Sequence, residues 1–381
     1  MRNHKLKILA DENMPKVQEV FSDFGDVVLC PGRSMQADDL TDVDILLVRS
    51  ITQVNEQLLE HSPVKFVGTA TIGMDHIDQD YLKKRNIGFS NAPGCNAEAV
   101  VDYVLSAIFY MADQKGFDPA DRTYGIIGVG NVGRRLQQRL EQCGFKVLLN
   151  DPPRAEKESG FVSLEALLEQ ADFICTHTPL TNSGTFPSFH LLSEPELLKL
   201  QPNAILLNAG RGPVIDNQAL LQVGKERPDL SFILDVWEHE PQVCSELAAR
   251  SELISPHIAG YSLDGKIRGT YMLYQAFCEF TGQKGARSLS EFLPDAELSE
   301  IEQNTQSPLA LMQKVYDPRV DDALLRETLS MTPDEQQKAF DQLRKSYRVR
   351  REFSSLSIIN PEHPKLLSGI GFQLAENRDL P

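Results

Sequence analysis

Residues 123–136 read TYGIIGVGNVGRRL, and this stretch decides the fold. An apolar run leads into Gly128, Gly130 and Gly133 at G-x-G-x-x-G spacing, and a helical pattern begins at Val132. A glycine-rich turn by itself is common. Between a strand and a helix each glycine has a physical purpose: Gly128 permits the tight turn, Gly130 lets a pyrophosphate approach the backbone, and Gly133 lets helix and strand pack closely. The helix N-terminus at Asn131 and Val132 then presents free N–H groups and a positive dipole end to phosphates. The next apolar run, KVLLN (146–150), leads to Asp151. It lies about twenty residues on, where an acid accepts hydrogen bonds from the adenine ribose. An acid there repels a ribose 2'-phosphate, so the expected cofactor is NAD rather than NADP. Arg154 tempers that expectation, while Pro152 and Pro153 end the strand. The bland alternative is a Rossmann-like turn that binds nothing.

Outward from this stretch, short apolar runs alternate with helical patterns up to about residue 285. KLKILA (5–10), DILLV (44–48) and KFVG (65–68) read as strands, with a helix from Pro15 to Phe24. Residues 95–115 read as one long helix. KVLLN, DFICT, AILLN, SFILD and ELISP follow as strands, with helices near 163–170, near 194–199 and from Asp216. Buried strands alternating with helices imply a parallel sheet covered on both faces. The fold class is therefore α/β, with two Rossmann-like, doubly wound parallel-sheet domains. Residues 1–95 form the first and 96–258 the second. A helix at about 262–283 is expected to return to the first, giving a substrate-binding or lid domain of 1–95 and 259–285. Residues 286–381 are rich in charge and carry helical stretches and one possible strand, YRVRREFSSLSI (347–358), without βα alternation. They read as an appended α+β domain.

The 381 residues are 41% hydrophobic and 24% charged, which is an ordinary globular composition and argues against disorder. The net charge of -16 makes nucleic acid and anionic membranes poor partners. It also means that an anionic substrate needs local cations. The six cysteines (30, 95, 143, 175, 244 and 278) include no C-x-x-C pair, so neither a disulfide framework nor a metal site is expected, and most should be buried thiols. The apolar stretch 99–112 is broken by Asp102 and too short for a bilayer, and the N-terminus lacks an apolar signal region, so a cytoplasmic protein is expected.

Three later segments carry candidate chemistry: NAGRGPVID (208–216), LDVWEHEP (234–241) and SPHIAGY (255–261). Each follows an apolar run, so each lies at the carboxyl edge of the sheet, where open α/β folds bind ligands. Oxidising a 2-hydroxy acid needs a cation for the carboxylate, a base for the hydroxyl proton and a hydride acceptor. Arg211 has the planar fork that binds a carboxylate and can polarise the developing carbonyl oxygen. His257 is the candidate base, since an imidazole takes up and returns a proton near neutrality. Glu240 is suited to hold the other ring nitrogen and stabilise the imidazolium. A lone histidine is more often structural, and this chain has eight, so His257 is chosen by context. Trp237, the only tryptophan, sits between Asp235 and Glu240, and NADH is expected to quench its fluorescence.

GVGNVG, HTPL (177–180), NAGRG, DVWEHEP and PHIAGY, in that order, resemble the D-isomer-specific 2-hydroxyacid dehydrogenases over about residues 5–285. The resemblance implies a catalytic set of Arg211, Glu240 and His257, and NAD contacts at Asp151, Thr178, Asp235 and Gly260. LADENMP (9–15), VRSIT (48–52), VGTATIGMDHID (67–78), APGCNAEAVVDYV (92–104), LNDPPR (149–154) and HIAGYSLDGK (257–266) are similar, more narrowly, to the branch acting on 4-phospho-D-erythronate in pyridoxal 5'-phosphate biosynthesis. That resemblance implies substrate contacts at Ser50, Thr71 and Tyr261, a cytoplasmic homodimer, and a C-terminal dimerisation domain at 286–381. Gly210 stands where such enzymes vary between small residues. Arg49, next to Ser50, is the nearest candidate for a substrate phosphate. The basic cluster Arg344, Lys345, Arg348, Arg350 and Arg351 reads as a solvated face or dimer interface. The sharper alternative has one of these arginines reaching a partner subunit's active site. Rival functions are another phosphorylated 2-hydroxyacid dehydrogenase, such as one acting on 3-phosphoglycerate, and an NAD-sensing binding protein. The complete Arg–Glu–His set argues against the latter.

Overall fold

The computed structural model describes residues 5–295, 300–302, 307–359 and 361–375. They divide into two compact units, Met1–Asn96 with Ser262–Asp295, and Ala97–Tyr261 with Ala296–Pro381. In the first unit, β1 (Leu6–Asp11), β2 (Gly25–Cys30), β3 (Ile45–Val48), β4 (Phe66–Thr69) and β5 (Gly88–Asn91) form one sheet in the order β2-β1-β3-β4-β5. All its pairings are parallel. β3 and β4 are buried along their whole length, which is why they read as unbroken apolar runs. β2 and β5 gave no such signal. β2 is an edge strand with Val28 and Leu29 exposed, and β5 has no fully buried residue. The helix predicted over 15–24 is confined to Val17–Phe21.

The helix Leu263–Thr281 belongs to this unit. Ile267, Leu273, Tyr274 and Phe277 share one core with Ile8, Ala10, Ile45, Leu47 and Phe66. The Ser262 hydroxyl caps the helix by accepting from Gly265 N, and Gly282 ends it at φ 68°.

The second unit is built on β6 (Thr123–Ile127), β7 (Lys146–Asn150), β8 (Phe173–Thr176), β9 (Ile205–Asn208), β10 (Ser231–Leu234) and β11 (Leu253–Ile254), in the parallel order β11-β10-β9-β8-β6-β7. The winding reverses between β6 and β8, so the loops leaving their carboxyl ends flank the crevice where this fold binds ligands. The helix Ala97–Lys115 is buried on nearly every side. It lies between the sheet and the C-terminal segment: Val104, Ile108 and Met111 share a core with Tyr124, Phe173 and Leu207, and also with Leu311, Met312, Tyr316 and Phe353.

The C-terminal segment has the expected helices, Pro308–Val315, Pro318–Thr328 and Pro333–Lys345, but its sheet differs from the expectation. β12 (Glu300–Glu302), β13 (Ser357–Ile359) and β14 (Gln373–Ala375) pair in parallel, with the helix Pro364–Ile370 between the last two. The segment therefore does contain a βαβ unit. Three-residue strands are too short to leave a periodic signal. Residues 347–352 are not strand, so the strand expected over 347–358 shrinks to its end. None of the six cysteines forms a disulfide. Cys95, Cys175 and Cys278 are buried, and Cys244 is exposed. No helix among the described residues is long and apolar enough to cross a membrane.

Candidate active site

The glycine loop has the shape a pyrophosphate needs. Gly128 sits at φ 86°, and a Cβ there would lie 2.7 Å from Thr178 N. A Cβ on Gly133 would lie 2.0 Å from the Gly128 carbonyl oxygen, so helix and loop meet at a distance only glycine allows. Nothing stands within 4 Å of a Cβ placed on Gly130, which leaves open space over the N-terminus of the helix Asn131–Cys143. Asp151 Oδ2 accepts from Val129 N at 2.8 Å and Oδ1 from Arg154 N at 3.2 Å, tying the acid to the glycine loop and to the turn that follows it, with one lone pair on each oxygen left for a ribose. Arg154 is held elsewhere. It pairs with Glu158, donates to Val129 O at 2.8 Å and lies over the Phe161 ring. Arg154 is thereby engaged rather than free to take a 2'-phosphate, and the residues fit NAD. Asp151→Ala is expected to weaken NADH binding about tenfold or more, from the loss of hydrogen bonds to a charged acceptor. A fluorescence titration checks it, and unchanged affinity would count against the assignment.

His177 and Thr178 follow β8 and back the glycine loop. Both ring nitrogens of His177 and Oγ1 of Thr178 are buried without a hydrogen-bond partner among the described residues. Burial holds the His177 imidazole down to about 4. The unfolded chain therefore binds one more proton than the folded chain between that value and the ordinary 6.5. The stability this group contributes is present above 6.5 and is lost as pH falls through 4. His177→Gln is expected to remove roughly 1–2 kcal/mol of the stability difference between pH 7 and pH 5. Denaturation midpoints at the two pH values measure it.

The structure brings Arg211, Glu240 and His257 to neighbouring loops after β9, β10 and β11. His257 Nδ1 and Glu240 Oε2 are 2.7 Å apart, and Glu240 Oε1 accepts from Trp237 N at 2.8 Å. His257 is at φ 56°, a conformation disfavoured for a side-chain-bearing residue. Its N–H donates to Asp235 O at 2.7 Å. Asp235, expected at the cofactor, is buried, and its carboxylate accepts from Ser255 Oγ, Ile258 N and Ala259 N at 2.7, 2.8 and 3.1 Å. Burial raises its pKa, while the nearby His257 and these donors pull the other way. Its visible work is to fix the loop that carries His257. Trp237 is likewise interior, 2% exposed, with Nε1 donating to Ser255 O at 3.1 Å. Quenching by NADH would thus require energy transfer rather than contact.

Arg211 is exposed, and among the described residues its guanidinium is bound only by its neighbour, Nη1 donating to Gly210 O at 2.8 Å. The turn beneath it is rigid. Asn208, fully buried, donates to Arg211 O at 3.0 Å and accepts from Gly210 N and Thr176 Oγ1 at 3.1 and 2.8 Å. A Cβ on Gly212 would fall 1.9 Å from Trp237 O, so the arginine loop lies directly on the loop of Glu240. Glu238 anchors that loop from the other side, its carboxylate 2.6 Å from His190 Nε2 and accepting from Asn217 N at 3.0 Å. Sequence reasoning missed Asn208, Glu238 and His190 in these roles. The one signal for Asn208 was a polar residue ending the apolar run AILLN.

In the first unit, Arg49 and Ser50 follow β3 and Thr71 follows β4, so all three lie at one edge, where Ala70 N donates to Val48 O at 2.9 Å. The Thr71 hydroxyl is 2.8 Å from Thr69 Oγ1 and donates to Gly73 O at 3.0 Å. Lys266 is a further cation here that sequence reasoning did not single out. Burial first, and the charge of Arg49 second, lower its ammonium pKa, although much of the side chain still meets water. Tyr261 and Gly260 belong to the second unit and follow directly on His257 and its loop.

The basic cluster is only in part the solvated face expected of it. Arg350 is 3% exposed, lies 3.6 Å from the Tyr316 ring centroid and donates to Ala259 O at 3.1 Å and Ala99 O at 2.6 Å. Arg348 pairs with buried Asp321, which also accepts from the hydroxyls of Tyr316 and Tyr347 at 2.9 Å. Lys345 is exposed.

Residues 102–259 match the model of the D-isomer specific 2-hydroxyacid dehydrogenase, NAD binding domain, and residues 292–371 match a domain of unknown function (DUF3410). The chain is 50% identical over 375 residues to an erythronate-4-phosphate dehydrogenase of Proteus mirabilis, covering 96% of this chain and 99% of that one. It is also 50% identical over 366 residues to a protein of the same name from Pseudomonas fluorescens, covering 94% and 96%. Among solved structures, NAD+-bound 3-phosphoglycerate dehydrogenase of Entamoeba histolytica superposes with a TM-score of 0.59 at 24% identity, covering 73% of this chain and 96% of its own, and shows the shared fold. The glycine loop, the His257–Glu240 pair and these relatives agree: the chain belongs to the D-isomer specific 2-hydroxyacid dehydrogenase family, in its erythronate-4-phosphate dehydrogenase branch.

Proposed function

We propose that the chain oxidises 4-phospho-D-erythronate at C2 to (R)-3-hydroxy-2-oxo-4-phosphobutanoate, a step in pyridoxal 5'-phosphate formation. The observation that carries the reading is the 2.7 Å His257–Glu240 pair beside the uncommitted Arg211, on the sheet edge that also bears the glycine loop. Identity of 50% over nearly the whole chain with erythronate-4-phosphate dehydrogenases selects the substrate. A protein acting on 3-phosphoglycerate is the rival, but the solved example shares only 24% identity.

Bound NAD supplies the carbon that receives the hydride. The chain's own residues do the rest. Arg211 grips the substrate carboxylate through its fork and faces the C2 oxygen as negative charge develops there. His257, with Nδ1–H donating to Glu240, leaves Nε2 free to take the hydroxyl proton. The C2–H electron pair leaves as hydride while the C–O bond becomes double, and the proton stays on His257 until water removes it. Glu240 keeps the ring in one tautomer and stabilises the imidazolium, and Asp235 holds the loop by three donors. The resemblance adds Arg49, Ser50 and Thr71 as substrate contacts, and Arg49 beside Lys266 is a natural pair of cations for an anion. Exposed Val320, Leu324, Met331 and Val349 support self-association through the C-terminal segment, with a homodimer as the expected state. The function is tested by following NADH absorbance with 4-phospho-D-erythronate, with an acceptor to consume NADH if the product inhibits. Specificity constants measured side by side with 3-phosphoglycerate decide the substrate.

A further inference from the structure

Among the described arginines of the C-terminal basic cluster, Arg344 stands apart from Arg348 and Arg350 in lacking a hydrogen-bond or ion-pair partner. Arg350 and Arg348 are committed inside the second unit, the first to two backbone carbonyls and the second to Asp321. Arg344, in the last turn of the helix Pro333–Lys345, has neither kind of partner among the described residues. Its Nε is sealed from water without a hydrogen bond. Its guanidinium carbon lies 5.9 Å from the ring centroid of Tyr261 and 5.9 Å from that of Phe340. Tyr261 in turn meets Tyr347 edge-on at 5.6 Å. Aromatic faces hold a planar guanidinium in place without using up its N–H donors.

The location matters as much as the lack of partners. Tyr261 is four residues beyond His257 in one short loop. Arg350 grips that loop by the Ala259 carbonyl and Arg344 covers it at the Tyr261 ring. A segment matched only to a domain of unknown function therefore touches the segment bearing the proposed base at two points.

We propose that Arg344 binds the phosphate of the substrate, which makes the C-terminal domain part of the substrate site of its own chain. This rests on the functional reading above. Within that reading the assignment to phosphate follows from the substrate's two anionic ends. The carboxylate is on the carbon next to the one that reacts at His257, and Arg211 takes it. The phosphate lies at the far end, and an arginine fork with free donors suits it. The Nε of Arg350 is likewise unpartnered, but its Nη atoms bond two carbonyls, whereas Arg344 has no such bond among the described residues.

The test compares kcat/KM for 4-phospho-D-erythronate with kcat/KM for unphosphorylated D-erythronate, in wild type, Arg344→Gln and Arg344→Lys. The ratio is expected to fall roughly 10- to 100-fold in the Gln variant through a higher KM for the phosphorylated acid, and to recover in part in the Lys variant, which keeps the charge without the fork. A ratio unchanged from wild type in both variants, even with equal losses on both substrates, would mean that Arg344 only packs against Tyr261 and would overturn the proposal. If the Gln variant does not fold, the Lys variant decides, since its ratio must still drop. Wild type that turns over neither acid would overturn the functional reading along with it. Wild type active on the phosphorylated acid with unaltered variants would overturn the Arg344 assignment alone.

Discussion

His257→Ala is expected to lower kcat about 100- to 10,000-fold, the range spanned by losing a positioned general base, while NADH still binds. The proposed base is held to Glu240 by its ring and to the fold by its backbone. Nδ1 meets Glu240 Oε2 at 2.7 Å, and its main-chain N–H donates to Asp235 O at 2.7 Å. Alanine keeps the second bond and loses the first, and the glycine loop is untouched. The variant should therefore retain its NADH dissociation constant and its melting temperature within a few degrees. Steady-state kinetics with 4-phospho-D-erythronate measure the loss. A kcat within threefold of wild type would remove His257 from the role of base, whereas lost turnover with cofactor binding intact separates an enzyme from an NAD sensor.

Arg211→Gln is expected to reduce kcat/KM about 1000-fold, combining a lost charge-assisted carboxylate contact with lost stabilisation of the developing oxyanion. The side chain is exposed and among the described residues holds only the adjacent Gly210 carbonyl, so the substitution leaves no buried side-chain group there unsatisfied. The turn is held instead by Asn208 and by the close approach of Gly212 to Trp237. Stability should be unchanged, and any kinetic loss is then chemical. Arg211→Lys keeps the charge but not the fork and should fall between the two. A loss smaller than tenfold in the Gln variant would place the carboxylate elsewhere.

Legibility differed from element to element for identifiable reasons. β3, β4, β6, β8, β9 and β10 are buried from end to end and stood out as apolar runs. β2 escaped notice because it is an exposed edge and β14 because three residues carry no period, while β13 was expected over 347–358 and is confined to Ser357–Ile359. The site divides in the same way. Glycines at fixed spacing, an arginine, a glutamate and a histidine were legible because their chemistry demands those residue types. Glu238, His190 and Asn208 were not, because a side chain that braces a loop can be any polar residue that reaches.

The sequence by itself determined the α/β class and singled out the glycine loop, Asp151, and Arg211, Glu240 and His257 as the candidates for holding NAD, binding a carboxylate and moving a proton. These follow from local chemistry: the size of glycine, the fork of arginine and the ring of histidine. Only the tertiary structure decided that Asp235 works as a buried clamp and that Arg154 is already paired with Glu158. The same holds for the C-terminal cluster, where Arg350 and Arg348 are committed within their own chain while Arg344 lies over Tyr261 with its Nε unpartnered. Partners from distant parts of the chain settle whether a charge is spent or available, and spacing along the sequence carries no record of them.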